Sequence, residues 1–239
     1  MTANPITEIR STYAQVATGL DDEGALNLLA DRLRQLPDTG TNVVTLLGGA
    51  ASGKSVLAKR LAEQLEDAVY TTTEDYCIED RTYRRRHFEG RSPLKKYDRV
   101  FLKEKIGAIQ GLAAGETLRL PVYDDKTGIA IAAGEENYPR IVGPVRWIII
   151  EGDFQLIEKP DYQIFLHVPD EVRKQNRITR DVAQGRETSV SKIAINFDRR
   201  QKSQHAQFTL PAAAEVNLLL DVTVKKDAYH YDIWEQPKK

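Results

Sequence analysis

The chain has little with which to cross-link itself or to hold a polyanion. One cysteine, Cys77, stands among 239 residues. That excludes an intramolecular disulfide and a cysteine-rich zinc site, and it points to a reducing, cytoplasmic setting. There is no excess of charge, with 34 Lys and Arg against 35 Asp and Glu. A protein that grips nucleic acid through its phosphates carries a basic surplus, so nucleic acid is not an expected partner. Long apolar runs are missing too. Trp147-Ile148-Ile149-Ile150 is far too short to cross a bilayer, and no membrane association is expected. Residues 1–10 lack the apolar core of a signal peptide. Neither an internal repeat nor a low-complexity tract is present. What is there is ordinary for a soluble globular protein, 41% hydrophobic and 29% charged, with length for one α/β domain and a small insertion.

Local patterns order the chain. Ala25 to Leu33 spaces apolar residues as a helix does, behind the cap candidates Asp21 and Asp22, and Pro37-Asp38-Thr39-Gly40 ends it. Residues 1–40 therefore read as an N-terminal helical extension ahead of a domain spanning 41–239. Val43 to Leu47 is a short apolar run bounded by turns, as a buried parallel strand requires. A Gly-rich segment and a helical pattern from Val56 to Leu65 follow it. Further strands are expected at Ala68–Thr72, Val145–Ile150, Tyr162–Val168 and, last, Val216–Val222. Helices are expected over Val100–Ala114, Asp170–Gln184 and Ser189–His205. Thr73 to Asp98 reads mostly as loop, and Val122 to Pro144 as a small β-excursion. Strands alternating with helices predict a mainly parallel sheet covered on both faces.

Gly48-Gly49-Ala50-Ala51-Ser52-Gly53-Lys54-Ser55 satisfies the G-x-x-x-x-G-K-[S/T] pattern between strand and helix. Small residues let the backbone curl so that its N–H groups face a phosphate, and the following helix aims its positive end at the same anion. Lys54 is placed to reach the β- and γ-phosphates of ATP, and the Ser55 hydroxyl to ligate Mg²⁺. No N-K-x-D segment of the kind that reads guanine occurs, which argues against a GTPase. The strand at Trp147–Ile150 leads into Glu151-Gly152, so Glu151 falls at the carboxyl end of a central strand, beside the metal.

Behind this loop, further segments fall in a recognisable order. They are Glu74-Asp75-Tyr76, Pro93-Leu94-Lys95-Lys96-Tyr97-Asp98, Pro121-Val122-Tyr123-Asp124, Ile150-Glu151-Gly152 and Arg177-Ile178-Thr179-Arg180-Asp181. From Val43 to Val222 the chain resembles the P-loop kinase family of uridine kinase, phosphoribulokinase and pantothenate kinase. The resemblance implies an α/β, three-layer P-loop NTPase fold with a mainly parallel sheet and an arginine-bearing lid. It implies transfer of the γ-phosphoryl group of ATP, with Mg²⁺, to a hydroxyl of a small molecule. Asp75 is implied as the general base, with its neighbour Glu74 left open. Asp98 and Tyr123 are implied to hold the acceptor. Arg177 and Arg180, joined by Arg186, are implied to close over the phosphates.

The chain also departs from uridine kinases. Where those place a base-reading histidine, it has Gly128. It adds the run Tyr83-Arg84-Arg85-Arg86-His87 on the acceptor side, where Arg84 is the candidate to hold an anionic substrate. The expected acceptor is thus a sugar, a sugar acid or another anionic metabolite. The alternatives are a uridine/cytidine-type nucleoside kinase and, from another class, a nucleotide-binding regulatory protein with little transfer activity. Association with further copies of the chain stays open.

Overall fold

The structure is a computed structural model that describes residues 5–88, 91–124, 127–131, 140–225 and 228–237. Its centre is a sheet of seven strands. In chain order they are β1 (Ala14–Leu20), β2 (Asn42–Gly48), β3 (Ala68–Thr72), β8 (Trp147–Gly152), β9 (Tyr162–His167), β10 (Leu218–Lys225) and β11 (Ala228–Glu235). Two small antiparallel ladders lie apart from it, β4 (Thr117–Arg119) with β7 (Arg140–Val142) and β5 (Val122–Asp124) with β6 (Ile129–Ile131). The sheet order is β1-β11-β10-β9-β2-β8-β3, parallel from β10 to β3 and antiparallel at the β11 and β1 edge.

The uninterrupted apolar runs explain why the central strands are buried on both faces. In β8, Ile149 faces one core with Val44 and Ile164, while Ile148 and Ile150 face the other with Val43. The first core is closed by α2 (Asp22–Arg34) and α3 (Lys54–Gln64) through Leu29, Leu33, Leu57 and Leu61. The second is closed by α5 (Arg99–Gln110) through Leu102, Ile106 and Ile109. Along the same face, Leu47, Phe165 and Leu219 pack on α1 (Pro5–Arg10) and the turn at Leu210–Ala214. Three layers result, as the sequence pattern predicts.

Three expectations need correction. The first forty residues are not all helical: β1 lies among them and pairs with β11, and Arg10 on α1 meets Asp221 of β10 at 2.5 Å. β1 is a largely exposed edge strand, so its residues lack the apolar alternation that betrays a strand. Val216–Val222 is not the last strand, because β11 returns beside β10 and buries Tyr231 and Ile233. Thr73 to Asp98 is not mostly loop. It holds 3₁₀ turns at Thr73–Tyr76 and Pro93–Lys96 and a helix, α4 (Arg81–Phe88), that carries the arginine run. The predicted β-excursion is present as the two ladders, although its residues 125–126 and 132–139 lie outside the described ones. After β9 come α6 (Asp170–Ala183) and α7 (Val190–Asn196). The latter continues through π-helical turns at Phe197–Gln201 and His205–Thr209. No described helix is long and apolar enough to cross a membrane.

Candidate active site

From β2 the chain leaves by α3 toward β3 on one flank, whereas from β8 it turns to β9 on the other. Such a divergence opens a crevice beyond the carboxyl ends of the strands. The loop Gly48–Ser55 fills the mouth of that crevice.

Its first two glycines are dictated by close approach. A Cβ on Gly48 would stand 2.5 Å from the Leu166 carbonyl oxygen, and one on Gly49 would overlap the Arg173 guanidinium. Ala51 is held at φ 63°, a conformation that non-glycine residues seldom adopt. The reason is visible from outside the loop. Arg173, wholly buried on α6, donates to the Ala50 carbonyl at 3.2 Å, and Asn176 donates to the Ala51 carbonyl at 3.1 Å. Pulling these carbonyls outward frees the concave side of the loop for its N–H groups. Arg173 is itself held by Asp170 at 2.5 Å and lies over the Phe197 ring. Sequence reasoning missed both braces. The clue was their helical spacing, because residues 173, 176, 177 and 180 share one face of α6.

On the concave side lie polar groups suited to a phosphate. Ser52 Oγ is buried with no hydrogen-bond partner among the described residues. Lys54 is buried, with Nζ 2.7 Å from Asp153 and 3.2 Å from the Gly49 carbonyl. Burial works against its charge, but Asp153, Glu151 and Glu74 more than offset this and raise its pKa. An orphaned hydroxyl beside a buried cation fits the polyphosphate of ATP. Ser55 Oγ donates to Glu151 at 2.9 Å, and the Tyr70 hydroxyl reaches the same oxygen at 3.3 Å. One hydroxyl and one carboxylate suit Mg²⁺, which takes few protein ligands and shares itself with phosphate oxygens. Among the described residues no cluster of three or more His, Cys, Asp or Glu offers a fuller cage.

Gly152 lets β8 pack directly on Thr73, which brings the turn Thr73–Tyr76 beside Glu151. The two acids of this turn differ. Asp75 is buried, and its carboxylate accepts from Thr71 Oγ1 and the Thr72 N–H, each at 3.0 Å, and from the Tyr123 N–H at 2.8 Å. It caps the turn and ties on the β5–β6 hairpin. Burial pushes its pKa up, against those hydrogen bonds. Glu74 is exposed, yet close enough to Lys54 to raise its pKa. Asp75 thus commits its carboxylate to the turn and the hairpin.

Asp98 adjoins this turn, with its N–H donating to the Tyr76 carbonyl at 2.8 Å. One of its oxygens caps α5 through the Phe101 N–H at 2.9 Å. The side chain borders a shallow depression with Ile78, Leu94 and Tyr97. Tyr123 stands half-buried on β5, and Arg84 and Arg81 donate to its hydroxyl at 3.0 and 3.4 Å. Arg84 is not the solvated charge its run suggests. It is buried, and it also donates to the carbonyls of Ile78 and Glu79. Arg85 and Arg86 are exposed.

Arg177, Arg180 and Arg186 do gather, but on Asp181. They approach its buried carboxylate at 3.1, 3.0 and 4.0 Å. Arg177 also senses Asp153, the partner of Lys54. Among the described residues these three arginines are not seen closed over the loop.

Fold and loop together define a P-loop α/β protein with carboxylates gathered beside the loop. Comparison with known proteins then narrows the field. No protein-family model matches the chain. It is similar to the uridine kinase of Psychromonas ingrahamii, with 24% identity over 183 residues, 74% of this chain and 86% of that one. Similarity to the uridine kinase of Clostridium novyi is equal, 24% over 184 residues, with the same coverage. Among solved structures, one from Silicibacter sp. TM1040, provisionally assigned as a fructose transport system kinase, superposes with a TM-score of 0.62 at 21% identity, covering 78% of this chain and 94% of that one. D-glycerate 3-kinase from Cryptococcus neoformans superposes with a TM-score of 0.56 at 13% identity, covering 83% and 93%. These superpositions establish the three-layer P-loop fold with its mainly parallel sheet.

Proposed function

We propose that the protein is an ATP-dependent phosphotransferase acting on a hydroxyl of a small metabolite. One observation carries the reading: a buried P-loop lysine and a Ser55–Glu151 pair face a turn bearing Glu74, so donor and acceptor halves adjoin in one crevice. The similarity to uridine kinases supports the reaction class.

In this reading the loop N–H groups, Ser52 and Lys54 hold the β- and γ-phosphates. Bound Mg²⁺ would supply charge neutralisation to the phosphate oxygens, with Ser55 and Glu151 holding it. The acceptor oxygen attacks the γ-phosphorus, the bond to the β–γ bridging oxygen breaks, and ADP leaves. The acceptor's proton goes to a carboxylate of the turn, and we assign it to Glu74, with Asp75 fixing the turn's geometry. Asp98 and Tyr123 line the acceptor side. Arg177, Arg180 and Arg186 are the reserve of positive charge that leaves Asp181 for the transferring group when nucleotide binds, which is our account of a lid.

A uridine- or cytidine-type acceptor is the less favoured reading, because Gly128 offers no side chain and packs against Arg81. A cytoplasmic setting suits this activity. Cys77 is half-buried with its thiol pushed up to about 12, so it is no ready redox handle. ADP release should rise at least tenfold over background with a competent acceptor among nucleosides, sugars and sugar acids, and Lys54→Ala should abolish the rise. Tight nucleotide binding with no acceptor-dependent release would favour a regulatory P-loop protein instead.

A further inference from the structure

We propose that Tyr70 is a positioning residue for the metal half of the site: its hydroxyl, together with that of Ser55, fixes the Glu151 carboxylate so that the crevice favours Mg²⁺ over the more adaptable Ca²⁺. The proposal rests on the kinase reading and deepens it.

Glu151 is a buried carboxylate, 6% exposed, near the end of β8. Among the described residues no Lys, Arg or His stands within ion-pair distance of it. Lys54, which feels its charge, is paired with Asp153 instead. The partners of Glu151 are two neutral hydroxyls, and both donate to Oε1, Ser55 at 2.9 Å and Tyr70 at 3.3 Å. Among the described residues nothing donates to Oε2. Burying a carboxylate on neutral donors is costly, and a cation beside it repays the cost. An ionised carboxylate only accepts, so Tyr70 supplies the proton of its bond.

The two donors come from different elements. Ser55 stands in the first turn of α3. Tyr70 stands on β3 opposite Ile149, two residues before Thr72, which is the residue opposite Glu151. Its ring is accounted for by packing, because it lies against the first core with the Lys59 ammonium 5.4 Å from its centre. Packing does not account for the hydroxyl, since phenylalanine would fill the same place. A carboxylate held by one donor can pivot about it, and a second donor from another element removes that freedom. Ser55 is wanted at the metal as well as at Glu151, which leaves Tyr70 as the donor free to hold the carboxylate. Hydrogen bonds behind a ligand set its orientation and its affinity for the metal. Mg²⁺ demands a nearly fixed octahedron, whereas Ca²⁺ accepts looser sets of oxygens, so a pinned carboxylate rewards Mg²⁺ more.

The test reads binding rather than turnover. The non-hydrolysable analogue AMP-PNP is titrated by calorimetry in EDTA, in Mg²⁺ and in Ca²⁺. For each cation, the ratio of the dissociation constants without and with metal measures the coupling of metal to nucleotide. In the wild type Mg²⁺ should tighten AMP-PNP more than Ca²⁺ does. Tyr70→Phe keeps the ring, so its melting temperature and its affinity in EDTA should match the wild type. It should lose about tenfold of the Mg²⁺ tightening and little of the Ca²⁺ tightening. Each ratio is taken within one protein, so a general change of stability cancels. Since Tyr70 acts through Glu151, adding Tyr70→Phe to Glu151→Gln should change neither ratio further. An unchanged Mg²⁺ ratio in Tyr70→Phe, equal losses for the two cations, or the same loss repeated in the Glu151→Gln background would each overturn the proposal. AMP-PNP that binds the wild type with no tightening by either metal would instead overturn the Ser55–Glu151 metal reading beneath it, and failure of AMP-PNP to bind at all would overturn the kinase reading.

Discussion

Glu74 and Asp75 are adjacent acids whose environments diverge completely. Asp75 spends its carboxylate on three hydrogen bonds inside the turn and hairpin, whereas Glu74 faces outward within reach of the Lys54 charge. Removing proton-accepting ability at Glu74 should therefore hurt turnover while leaving the fold alone. Glu74→Gln is expected to lower kcat by about a hundredfold or more, with ATP affinity kept. Asp75→Asn is expected chiefly to destabilise, by about 1–3 kcal/mol, since it turns an acceptor toward donors. If Asp75→Asn is instead inactive at wild-type melting temperature, the base is Asp75. Periodicity in the sequence could say that one of these acids points inward, but not which one serves chemistry, because only the packing of Tyr123 and Thr71 decides it. Arg84 teaches the same point. Its neighbours Arg85 and Arg86 make it look like one of a solvated run, and the side of α4 that meets Tyr123 is what buries it.

At the scale of elements, α6 is the least expected contributor. That Arg177 and Arg180 share one helix face was legible from their spacing. The brace made by Arg173 and Asn176 was not, since its partners are backbone carbonyls far away in the chain. Asn176→Ala removes one of these hydrogen bonds without leaving a buried charge. A loss of about 1 kcal/mol should appear as an ATP KM raised about fivefold with kcat little changed. A lowered melting temperature with unchanged KM would mean that the contact serves only the fold. β1 escaped notice for a different reason. An exposed edge strand need not alternate apolar and polar residues, and β1 gains its place from pairing with β11. By contrast, the doubly buried strands and the P-loop between β2 and α3 were readable, because continuous β-branched runs and a glycine-rich turn have few other uses.

Across the whole molecule, the loop, α6 and the π-helical segment after α7 press together on His205. Burial and the Arg173 charge hold His205 at about 3, below its ordinary 6.5, with Asp170 and Asp153 opposing and His167 adding to the shift. Its unfolded form binds a proton that the folded form refuses, so stability is intact above about pH 6.5 and is lost as the pH falls toward 3. The slope approaches about 1.4 kcal/mol per pH unit. Chemical denaturation should show about 1.5 kcal/mol lost between pH 6.5 and 5 from this group, and His205→Gln should lose that much less. Equal slopes in the two proteins would remove His205 from the acid response. The central claim is phosphoryl transfer to a small acceptor in the crevice above β2, β8 and β3. The most direct measurement incubates the protein and Mg²⁺ with γ-labelled ATP and a pool of small hydroxylated metabolites, then follows the label. The account predicts label in a new phosphate ester, absent with Lys54→Ala. Label that stays in ATP or appears only as inorganic phosphate would contradict it.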